Sequence, residues 1–202
     1  MHPYKITSHQ LLTKRAMTKR VEFCKTINGM FEDGELDAKL IIYTDEAHFW
    51  LNGYVNKQNY RFWGSENPNV SLAKPLHPQK ITAWAAISVK GIYLQFFEST
   101  VTGESYKQLL ETQFFPHAFA QGGLEWPPYS PDLNPCDFFL WGYIKDHCYA
   151  ENPDTVSDLV VAIKKVVSNI KDDMLEKVFT SFRKRIDFCT NSDGAHFENI
   201  YH

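Results

Sequence analysis

The stretch Trp126-Pro127-Pro128-Tyr129-Ser130-Pro131-Asp132-Leu133-Asn134-Pro135-Cys136-Asp137-Phe138-Phe139-Leu140-Trp141-Gly142 decides the reading of the fold. Its prolines fix φ and remove amide donors, so residues 121–135, with Gly122 and Gly123 at their head, predict a rigid loop without regular structure. The aromatic-rich run from Asp137 to Tyr149 predicts a helix, so the loop delivers an acid to a helix start. Asp132 lies within Ser-Pro-Asp, where a turn-forming or capping role is expected.

Upstream, Leu40 to Thr44 is a β-branched and aromatic run that predicts a buried strand. It leads into Tyr43-Thr44-Asp45-Glu46-Ala47-His48-Phe49, so the strand is expected to end in adjacent carboxylates. Asp45 and Asp137 are thus acids at the ends of anchored elements, and such acids can converge on divalent metal ions. Their carboxylates are expected within about 12 Å, because ions in two-metal sites sit only ~4 Å apart. Glu46 is read as a neighbour of that site rather than a ligand.

Residues 81–89 and 92–97 predict two strands joined tightly at Lys90-Gly91, an antiparallel hairpin. Gly103 to Phe115 predicts a helix stopped by Pro116. Asp154 to Ile170 and Met174 to Phe188 carry a 3.6-residue apolar period and predict two more. Residues 8–27 predict a helix with an imperfect apolar stripe. Its remaining positions are basic, with Lys14, Arg15, Lys19, Arg20 and Lys25 against one acid, Glu22. A solvated face and a phosphate-contacting face both stay open for that run. Gly29 to Asp37 reads as a turn-rich break. Strands first and helices after them indicate an α/β fold with a mixed sheet.

The chain has 202 residues, 44% hydrophobic and 22% charged, enough apolar material for a real core and against global disorder. A net charge of -3 argues against a surface built throughout for nucleic acid, though not against a local patch. Cys24, Cys136, Cys148 and Cys189 form no C-x-x-C pair and read as reduced thiols of an intracellular protein. His147-Cys148 has no second pair at zinc-finger spacing. No apolar stretch follows Met1-His2-Pro3-Tyr4-Lys5, and no run approaches the ~20 residues of a bilayer span, so no membrane is expected as partner.

The strings TDEAHF (Thr44 to Phe49) and WPPYSPDLNPCDFFLWG (Trp126 to Gly142) together resemble the catalytic domain of mariner-type transposases, of the Asp-Asp-Asp or Asp-Asp-Glu superfamily. Ile81 to Ser88, Lys90 to Ile92, Val101 to Leu110 and Lys19 to Cys24 also look like that family, so the resemblance covers the chain from about Lys19 to Tyr149. It implies a ribonuclease H-like mixed sheet flanked by helices, followed by a C-terminal helical segment. Residues 1–37 would form a basic helical linker, 38–150 the catalytic domain, and 151–202 the C-terminal helices. Asp45 would be the first acid and Asp137 the third. They would bind Mg²⁺ or Mn²⁺ for two-metal phosphoryl transfer on DNA. The resemblance places the protein in the nucleus and leaves a homodimer open.

The chain departs from the family at the second acid, which the family carries on an internal strand ahead of the third. Here Thr112 to Pro116 runs through His117 to Ala120 almost directly into Gly122 to Trp126, so the domain is expected to be shortened near 113–125. The sheet is then incomplete and metal binding weak. Glu104 and Glu111 fall in a predicted helix and are poor substitutes. The chain also begins too late for the family's helix-turn-helix. The expectation is a transposase-derived protein that binds DNA weakly and without sequence preference, through Lys14, Arg15, Lys19 and Arg20, and does not cut it.

Three other readings bear on the same residues. Asp45-Glu46-Ala47-His48 spells a helicase box, but no phosphate-binding G-x-x-x-x-G-K-[ST] loop accompanies it, which excludes that reading. A non-catalytic module could reuse the transposase framework, with Phe138 to Tyr149 and the following helices as docking surface. A decayed reading frame without selected function is the third. Sequence leaves the last two open.

Overall fold

A computed structural model of the chain describes residues 11–51, 79–116 and 125–197. Helix α1 spans Lys14–Glu32 and is capped by Thr13, whose hydroxyl accepts the Ala16 N–H at 3.2 Å. It runs through Gly29, where a break was expected. A helical glycine costs only about 1 kcal/mol relative to alanine, and Phe31 nearby packs against the core with the Arg183 guanidinium 4.9 Å above its ring. The chain leaves the helix at Gly34, with φ +72°.

Ala38–Leu40 forms a single 3-10 turn rather than the start of a strand, and Leu40 is exposed. Strand β1 runs Tyr43–Trp50, so Asp45 and Glu46 lie inside it instead of at its end. The cause is a period of two that continues through the acids. Tyr43, Ala47 and Phe49 are buried while Thr44, Glu46 and His48 are exposed. Charged side chains on the solvent face do not interrupt such a strand.

Strands β2 (Lys80–Ser88) and β3 (Gly91–Phe97) form the expected hairpin, with Gly91 at φ +142° in the turn. Sheet order is β1-β2-β3, with Asp45 opposite Ala85 and Ala86 opposite Tyr93. All strand pairing among the described residues is antiparallel, and β1 is an outer strand there. The expected shortening near 113–125 falls largely on residues 117–124, outside the described ones.

Helices cover both faces of the sheet. On one, Tyr43, Phe49, Ala83, Ala85 and Ile87 pack against α1, α3 (Trp141–Cys148), α4 (Val156–Ser168) and α5 (Asp172–Asn191). On the other, Trp84, Ala86 and Phe97 pack against Leu109 and Phe114 from α2 (Gly103–Leu109) and its π-helical extension Leu110–Phe114. Capping boxes at Thr102/Ser105 and Thr155/Asp158 fix the starts of α2 and α4. The α/β class holds, and helices α1 and α5 pack directly on one another within the main core. All four cysteines are free and buried. Among the described residues no helix is long and apolar enough to cross a membrane.

Candidate active site

The loop of prolines ends in a π-helical turn, Cys136–Leu140, that carries Asp137. Turns of this kind recur at functional sites, because the wider coil re-aims side chains. Asn134 organises it: its side-chain oxygen accepts the Cys136 N–H at 3.0 Å, and its carbonyl accepts the N–H groups of Asp137 and Phe138 at 2.9 Å each. The Cys136 thiol reaches the Tyr43 carbonyl at 3.8 Å, which seats the turn on β1.

This brings Asp137 against Asp45, and the two carboxyl groups hydrogen-bond. Asp137 is pushed up to about 7, first by desolvation and then by the negative charge of Asp45, with Lys145 pulling the other way. Trp141, one turn beyond Asp137, donates its indole N–H to Asp45 Oδ2 at 2.8 Å and fixes that carboxylate. Sequence reasoning missed Trp141, although its i+4 spacing from Asp137 puts both on one helix face.

Glu46 points to the other face of β1, where the Tyr106 hydroxyl hydrogen-bonds it. It is raised by partial desolvation and by Asp45. Glu104 and Glu111 are exposed on α2 and its extension, and Lys107 engages Glu111 at 3.7 Å. Among the described residues no group of three or more acid, histidine or cysteine side chains converges as a metal cage. Asp45 and Asp137 are the acids brought together that could hold a divalent ion.

Asp132, expected as a turn-forming or capping residue, lies in the 3-10 turn Pro131–Leu133 and is also a buried anchor. Arg20 of α1 grips it with two prongs, Nη1 to Oδ1 at 2.7 Å and Nη2 to Oδ2 at 2.6 Å. Arg20 also donates to Ser130 Oγ (2.8 Å), the Tyr129 carbonyl (3.1 Å) and the Gly194 carbonyl (2.8 Å). Burial alone would lower Arg20, but the hydrogen bond and charge of Asp132 outweigh it and leave it raised. His196 Nδ1 lies 3.4 Å from Asp132 Oδ2, and Arg185 donates to the Asp132 carbonyl at 2.8 Å. The loop that presents Asp137 is thus tied to α1, α5 and the turn after α5.

The basic run of α1 therefore divides. Arg20 is fully buried with its donors engaged, which removes it from any phosphate-binding set. Its place was legible: Ala16, Arg20, Cys24 and Ile27 follow the helical stripe, so Arg20 falls on the core face. Lys19 is partly exposed and paired with Glu125 at 3.0 Å. Lys14 and Arg15 are exposed.

The chain has the ribonuclease H-like fold of the mariner transposase catalytic domain, and within that fold Asp45 and Asp137 lie side by side. It is homologous to the Tc3 transposase of Caenorhabditis elegans, 24% identical over 222 residues, covering 94% of this chain and 65% of that protein. That aligned span is longer than the chain's own 202 residues, so the relative holds residues that this chain lacks. The Mos1 mariner paired-end complex with Mn superposes with a TM-score of 0.76 at 18% identity, covering 98% of this chain and 68% of that one. The isolated catalytic domain of Mos1 gives 0.68 at 16% identity, over 95% and 100%. Mos1 structures have also been solved with Mg. No family model matches the chain.

Proposed function

We propose that the chain is a transposase-derived nucleic-acid-binding protein that retains half of a metal site and no longer cleaves DNA. The family chemistry is metal-dependent cleavage and strand transfer. It depends on two ions, one to activate the attacking oxygen and one to stabilise the leaving oxygen. The observation that carries the reading is that Asp45 and Asp137 come together hydrogen-bonded, with no third acid converging on them among the described residues. One ion between two carboxylates leaves half of the developing charge unmatched. Losing stabilisation of that kind costs several kcal/mol, which is orders of magnitude in rate.

DNA is the partner this reading favours, because relatives of the same fold are known as paired-end and strand-transfer complexes. Binding without sequence preference and a nuclear location follow as part of the proposal. Incubation of the purified protein with supercoiled plasmid in Mg²⁺ or Mn²⁺ tests it, beside an Asp45→Ala control. No nicking above the control is expected. Nicking that disappears in Asp45→Ala would overturn the loss of chemistry and show that another acid completes the site.

A further inference from the structure

We propose that the outer edge of β3 is a surface for a second copy of this chain. Two copies pair their β3 strands antiparallel about a two-fold axis at Leu94, and the sheet of one continues into the other. This pairing is independent of whether the chain has kept or lost chemistry on DNA.

Strand β3 closes the sheet on the side away from β1. Ser88 pairs with Gly91 across the two residues Val89 and Lys90, the hydrogen-bonded pair that closes a tight hairpin. Alternation along the ladder then turns the backbone groups of Tyr93, Gln95 and Phe97 toward β2, and those of Ile92, Leu94 and Phe96 outward. Among the described residues no strand takes up that outward row, and Gly91 to Phe96 are all partly exposed. The strand reads Gly-Ile-Tyr-Leu-Gln-Phe-Phe, without a charge or a proline, the usual guards of an edge. Strand β1, the other outer strand there, is guarded. It carries Asp45, Glu46 and His48, and its Tyr43 and Trp50 carbonyls accept the Cys136 thiol and the Tyr149 hydroxyl.

The surroundings of β3 select the occupant and the register. Gly91, Ile92 and Leu94 share a groove with Val167, Ile170 and Leu175, and Lys164 and Asp172 line it too. Lys164 is placed by Phe96, its ammonium 5.8 Å from the ring centre. Both charged residues are exposed, and neither is in an ion pair among the described residues. A two-fold axis at Leu94, the middle of the strand, sets Ile92 against the partner's Phe96 and Leu94 against the partner's Leu94. Tyr93 then meets the partner's Gln95 on the opposite face, so apolar pairs with apolar and polar with polar. The same axis carries Lys164, beside Phe96, toward the partner's Asp172, beside Ile92, and repeats the pair on the other side. A surface that complements itself in both pattern and charge is what a two-fold dimer requires.

Sedimentation of the full chain over a concentration series tests the assignment. Wild type should pass from monomer to dimer. Leu94→Lys sets two ammonium groups on the axis and should weaken the dimer at least about tenfold. Lys164→Glu and Asp172→Lys should each weaken it on the order of tenfold, because symmetry counts every change twice. The two changes together exchange the charges and should return the affinity to within about threefold of wild type. Thermal midpoints confirm folding, and the exchange alters only exposed side chains, so it reads the pairing even where Leu94→Lys lowers the midpoint. A wild-type chain that stays monomeric up to about 1 mM would overturn the proposal and leave the edge to a different chain. A dimer indifferent to Leu94→Lys would overturn it in favour of another surface. Losses in the single charge variants without recovery in the exchanged one would overturn the axis at Leu94.

Discussion

Arg20 on α1 and Asp132 in the proline loop meet as a two-pronged ion pair, 2.7 and 2.6 Å across, with both side chains out of solvent. The pair joins residues 112 positions apart and fixes the loop just ahead of the acid it presents. A buried pair of this kind adds little over a well-packed apolar pair, yet losing one partner leaves an uncompensated charge in the interior.

Arg20→Met should therefore lower the unfolding free energy by about 3–5 kcal/mol. Removing both charges, as Arg20→Met with Asp132→Leu, should cost less than the sum of the single changes. Denaturant titrations of the three variants form a double-mutant cycle. An Arg20→Met loss below about 1 kcal/mol, far under the cost of an orphaned buried charge, would show that the pair does not hold the loop.

Gly194 accepts the third prong of Arg20 on its carbonyl and has φ +79°, with the backbone of Met17 directly where a side chain would begin. Gly194→Ala adds both strain and collision, so a loss of about 3 kcal/mol or more is expected. A thermal melt reads it, and an unchanged midpoint would contradict the close approach.

Asp137 titrates higher in the folded protein, at about 7, than the ~3.9 of an unperturbed aspartate. The folded state then holds more protons between those values, so this group's contribution is full below ~4 and is lost as pH rises through about 7. Asp137→Asn carries no such charge. In metal-free buffer it should gain stability relative to wild type as pH goes from about 4 to about 8. A difference in midpoint that stays flat over that range would rule out the raised titration of Asp137.

Trp141→Phe keeps an aromatic ring against Phe49 and removes the N–H that Asp45 accepts. A hydrogen bond to a charged group contributes about 1.5–3 kcal/mol, and a loss of that size is expected in urea unfolding. Wild-type stability would mean that the indole does not orient Asp45.

The two chemistry-bearing strings were legible because each has a strong local cause: prolines that forbid regular structure, and an apolar strand that leads into acids. The β2–β3 hairpin and the amphipathic α4 and α5 were legible from period alone. The extent of β1 was not, since its carboxylates looked like a strand end when they only occupy the open face and the sheet edge. Gly29 looked like a stop because propensity cannot see Phe31 packing just beyond it. The Arg20–Asp132 pair was hidden by two local patterns, a basic run and a Ser-Pro-Asp turn, each with a sufficient explanation until the other residue was placed beside it.

The anchor at Arg20 also has a consequence in time. Arg20 binds the Gly194 carbonyl 174 positions further along the chain as well as Asp132 in its middle. During synthesis helix α1 must wait for the residues out to Gly194 before its guanidinium has a complete set of acceptors. Until then water satisfies the Arg20 guanidinium, beside the still unpacked apolar residues Phe23, Cys24 and Ile27. Closures this long are slow, and the waiting state is open to association with other chains. A nascent chain released before Gly194 would hold the Arg20–Asp132 pair but leave the Nε–H of Arg20 without its acceptor.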